Sequence, residues 1–65
     1  MITTHPAYPL DKCVQMFNDR FGRQLDASEL DWMQIDNMST YAKSEGEWPL
    51  AYFLARHAEN MKGKL

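Results

Sequence analysis

The sequence predicts an all-α fold, a small three-helix bundle, on three observations. Two segments open with the order aromatic–Pro–Leu, at Tyr8-Pro9-Leu10 and at Trp48-Pro49-Leu50. A third start signal lies at Asp26, with Glu29 three residues on. No segment sustains the strict apolar–polar alternation that marks a strand.

The first helix is expected over about 9–21. Proline suits a first helical position, where its missing N–H has no partner, and it pushes the preceding residue toward extended geometry. At about 100° per residue, Leu10, Cys13, Val14, Phe17 and Phe21 fall on one stripe, and Gly22 ends the run. The second helix is expected over about 27–44. Asp26 and Glu29 have the spacing of a capping box, Leu25 and Leu30 that of a hydrophobic staple, and Gly46 is the stop. Its apolar side is untidy. Ala27, Leu30, Ile35, Met38, Tyr41 and Ala42 point one way, yet Asp31 and Gln34 share that sector. The third helix is expected over about 49–62, with Leu50, Phe53, Leu54, His57, Ala58 and Met61 on one stripe and Ala51 and Ala55 beside it. Residues 1–7 are expected to form a loosely held arm, and residues 1–65 one helical domain.

The composition fits a folded chain, with 45% apolar and 25% charged residues. Only about 60% of the unfolded surface is buried in so short a chain, so the core is thin. A net charge of −2 and a pI near 5.5 weigh against nucleic acid, whose compact binders carry basic patches. One cysteine cannot close an internal disulfide, which points to a reducing, cytoplasmic setting. The first ten residues lack the basic and apolar regions of a signal peptide, and no apolar run reaches the roughly 18 residues of a membrane span.

Chemistry-bearing patterns are missing. His5, Cys13 and His57 lie on separate elements without zinc-type spacing, so no metal site and no cofactor are expected. The serines sit on the second helix without a nucleophile turn, and the glycines form no phosphate loop. The acids Asp26, Glu29, Asp31 and Asp36 are scattered around the helix axis. An enzyme is therefore not expected, and Cys13 reads as buried filler.

Four side chains fall outside the core stripes: Trp32, Met33, Tyr52 and Arg56. Aromatics, Met and Arg are enriched where proteins meet, and these four are the candidate partner-binding residues, Trp32 and Met33 as one patch and Tyr52 and Arg56 as a second. The expected function is a small interaction protein that binds and modulates or inhibits a macromolecular partner, expected to be a protein. In size and style the chain resembles the short accessory proteins of phages and plasmids, a likeness that no motif carries. A homodimer is a second way to cover the same surface. The alternative function is a helix-turn-helix DNA-binding regulator with the third helix in the groove. That helix, however, would expose Tyr52, Arg56 and Glu59 with a single base among them.

Overall fold

The computed structural model describes residues 8–63. Three helices make up the fold: α1 (Leu10–Phe21), α2 (Trp32–Ser44) and α3 (Trp48–Lys62). Among the described residues there is no strand. The expected arm, residues 1–7, lies outside the described residues.

Pro9 is the N-cap of α1 rather than its first helical residue, and its carbonyl accepts the Cys13 N–H (3.0 Å). Helix α1 stops at Gly22, which takes the left-handed conformation (φ 67°). The Arg23 N–H then bonds back to the Asn18 carbonyl (3.0 Å). Only glycine enters that region without a Cβ penalty. The loop that follows is held by Asn18, whose Nδ2 donates to the Leu25 carbonyl (2.9 Å) while its Oδ1 accepts the Leu25 N–H (3.0 Å).

The structure corrects the start of the second helix. Asp26 caps only a three-residue 3-10 turn, Ala27–Glu29, and Leu30 is extended. The Ser28 hydroxyl and N–H both donate to Asp26 Oδ1 (2.8 and 3.0 Å) and hold its carboxyl below the ordinary value. Helix α2 begins at Trp32, and its capping box joins Asp31 and Gln34. The Gln34 N–H donates to Asp31 Oδ1 and the Asp31 N–H to Gln34 Oε1, both at 2.9 Å. The physical reason is the polarity of these two residues. In one continuous helix they would sit in the buried sector, whereas the break makes them the box that satisfies the helix end. Leu25 and Leu30 still pack against the core, each half-buried.

The α2–α3 turn is a Schellman closure. The Gly46 N–H bonds to the Lys43 carbonyl (3.1 Å) and the Glu47 N–H to the Ala42 carbonyl (2.8 Å), with Gly46 at φ 83°. Glu47 caps α3, so Trp48 is its first helical residue and Pro49 its second, one position later than proline's preferred place. The ends of the hairpin meet as antiparallel partners. Lys43 lies over Trp48 at the turn (5.4 Å) and Lys62 over Trp32 at the open end (5.2 Å).

Helix α1 packs across one side of this hairpin. Its Cys13, Val14 and Phe17 join Ile35, Met38 and Ala42 of α2 and Leu50, Phe53 and Leu54 of α3 in one buried cluster, with α1 lying mainly against α3. Phe17, Phe21 and Tyr41 form an aromatic corner with Phe21 edge-on to Tyr41 (4.9 Å), so Tyr41 remains partly exposed at the rim of the core. Tyr8 stands edge-on to Phe53 (5.2 Å). Its carbonyl accepts from His57 Nε2 (2.7 Å), so the histidine on the apolar stripe is half-buried and satisfied. Arg20 pairs with Glu47 (2.6 Å), linking α1 to the cap of α3.

Candidate interaction face

Helix α1 covers one side of the α2–α3 hairpin, and the other side is open. Successive α2 residues on that side are Trp32, Asp36, Ser39 and Lys43, spaced by three or four as one helical face requires. Opposite them, α3 presents Trp48, Ala51, Tyr52, Ala55 and Glu59. Two shallow recesses, of about 180 and 240 Å³, run along this seam and meet at Ala55. Both fall short of the roughly 300 Å³ at which small-molecule sites begin. The shape is a groove between two helices.

The floor is small and mostly satisfied. Ala51 and Ala58 are buried, and the Ser39 hydroxyl, also buried, donates to the Ala51 carbonyl (2.6 Å). The rims are aromatic. Trp48 and Tyr52 are 60% and 58% exposed, and Trp32 is half-buried. Each ring carries a cation: Lys43 on Trp48, Arg56 on Tyr52 (5.9 Å) and Lys62 on Trp32. Such contacts add about 0.5–1 kcal/mol each at exposed sites. They also set the long side chains along the groove walls.

Of the two candidate patches, Tyr52 and Arg56 lie together, whereas Trp32 and Met33 face different ways. Trp32 and Tyr52 line the groove at different ends, and Arg56 joins through its stack on Tyr52. Met33 is 55% exposed, but one residue past Trp32 it points away from both neighbouring helices. Sequence reasoning missed Trp48, taken as the residue before the helix, and Ser39 and Lys43 beside it. The signal was the spacing of Trp48 and Tyr52, four apart, which matters only once Trp48 is helical.

Other chemistry is sparse. Burial first, and then Asp11, push the Cys13 thiol above its ordinary value, which makes it a poor nucleophile. Among the described residues no three His, Cys, Asp or Glu side chains converge as metal ligands, and no helix is long and apolar enough to cross a membrane. Compared with known proteins, no family model matches the chain, and neither a curated protein nor a solved structure matches it.

Proposed function

We propose that this chain is a small non-enzymatic interaction protein that binds a protein partner through the open face of the α2–α3 hairpin and modulates or inhibits it. The observation that carries this reading is the groove itself: two exposed aromatic rings and a third half-exposed one along a shallow seam, each with a cation. Aromatic and Arg side chains around small residues make the kind of surface that hot spots use. A reducing cytoplasm fits the single buried thiol, and the short accessory proteins of phages and plasmids provide the style of protein in which such a face would act.

The helix-turn-helix alternative draws less support from the geometry. Its two helices cross at about 90–120°, whereas α2 and α3 touch at both ends as an antiparallel pair. The open face also carries Asp36 and Glu59 where phosphates would lie.

The test is capture from the native lysate with the wild-type chain and with Trp48→Glu/Tyr52→Glu, after circular dichroism shows that both fold. A protein retained by the wild type and lost by the double variant, then bound directly by the purified chain, is the expected result. Equal capture by both chains, or a captured species that is nucleic acid, contradicts it.

A further inference from the structure

We propose that, without another partner, the groove is closed by a second copy of this chain, docked about a two-fold axis that passes beside Ala55. The inference rests on the reading of this face as a protein-docking surface and names its resting occupant.

Charge is ordered along the groove. On one side of Ala55 the groove is lined by the acids Asp36 and Glu59, with one cation, Lys62, set over Trp32 at the far end, and on the other by Lys43 with no acid. A two-fold axis perpendicular to the groove lays each half of one copy on the opposite half of the other. Lys43 then faces the partner's Asp36 and Glu59, and the contact occurs twice, as an isologous interface demands. Docking the copies in the same direction would instead set acid on acid and Lys43 on Lys43.

The aromatic rims follow the same rule. Trp32 stands at the acidic end, and Trp48 and Tyr52 at the basic end. The axis brings the Trp48 end of each copy against the Trp32 end of the other. Register is consistent with this, because Ala55 lies seven residues from both Trp48 and Lys62, the two ends of α3. That is about 10 Å in each direction. The middle of the groove meets itself across Ala51 and Ala55, small enough for close helix approach, and the nearby Ser39 hydroxyl is already bonded.

Area sets the strength. A face about 21 Å long and two helices, or about 20 Å, wide presents a footprint near 400 Å². A standard stable interface buries about 800 Å² per partner. The pairing therefore belongs to the weak, transient class, formed at high chain concentration and released to a tighter partner.

Sedimentation equilibrium on the purified chain, up to about 1 mM, tests this. The expected mass rises with concentration from 7.6 kDa toward twice that value. Lys43→Glu and Asp36→Lys, both at exposed positions, should each weaken the dimer at least about tenfold. An equimolar mixture of the two should restore it, since each interface then regains an opposite pair at both contacts. Ala55→Glu, with two carboxylates meeting at the axis, should be monomeric and guards against a charge variant that fails to fold. A wild type that stays monomeric throughout overturns the proposal, as does a mixture that fails to recover or a set of variants that all dimerise normally. The two readings fail separately: a monomer that still captures a protein through Trp48 and Tyr52 loses only the second copy, and a dimer that captures nothing loses only the foreign partner.

Discussion

Replacing Asp31 with Ala tests where α2 begins. The Asp31 carboxylate accepts the Gln34 N–H (2.9 Å), and its carbonyl accepts the N–H of Ile35, a fully buried core residue (3.1 Å). The substitution removes the side-chain acceptor and a negative charge from the helix N-terminus. The capping bond contributes about 1 kcal/mol. The charge adds roughly 0.3–1 kcal/mol at the positive end of the dipole. Asp31 and Gln34 are exposed, so water takes part of the lost bond and the total stays near 1–1.5 kcal/mol. For a chain of this size that is a fall in Tm of about 4–8 °C per kcal/mol, read by thermal circular dichroism. Asp31→Asn keeps the acceptor and should lose only the charge contribution. Asp26→Ala removes the cap of a single turn and should cost less than Asp31→Ala. If Asp26→Ala is instead the more damaging change, α2 starts at residue 27 as one continuous helix and the reasoning fails.

Leu54 is fully buried, and Leu54→Ala should destabilise by about 2–5 kcal/mol. Because a core this small supplies only about 3–5 kcal/mol, urea titration should find the variant largely unfolded without denaturant. The Cys13 thiol is raised above its ordinary 9.0 by burial, so the unfolded chain ionises first. Its contribution to stability is intact below pH 9 and falls as the pH climbs toward the folded-state value. A denaturation series from pH 8 to about 10.5 should show that fall in the wild type and less of it in Cys13→Ala; parallel curves would contradict the shift. Met33→Glu, on the side of α2 away from the groove, should leave fold, mass and partner capture unchanged. Loss of either mass or capture would move the docking face to that side.

Helix number and type were legible because independent signals agree in each segment: Pro before Leu, apolar residues at three-and-four spacing, and Gly22 and Gly46 where left-handed closures occur. The start of α2 was misread because two capping boxes lie five residues apart, at Asp26–Glu29 and Asp31–Gln34. Local pattern favours the first. The second prevails because it takes Asp31 and Gln34 out of the buried sector, which is a tertiary requirement. Trp48 followed the same course. The rule that extends residues before proline placed it outside the helix, yet it is the first residue of α3 and stands on the groove rim. The candidate residues were found by what the core stripes leave over. That test separates outside from inside but cannot say which outside, and so it grouped Met33 with Trp32 although they point about 100° apart.

The central claim, that the open α2–α3 face is where protein docks, is tested most directly by nitrogen-15 chemical shifts followed through dilution of the pure chain. Concentration-dependent shifts are expected at the Trp32 and Trp48 indoles and at the Ser39 and Ala55 amides, with Met33 and Arg23 unmoved. Shifts centred on α1 or on Met33 would contradict it, whereas a spectrum that does not change with concentration removes the second copy and leaves the foreign partner to the capture experiment.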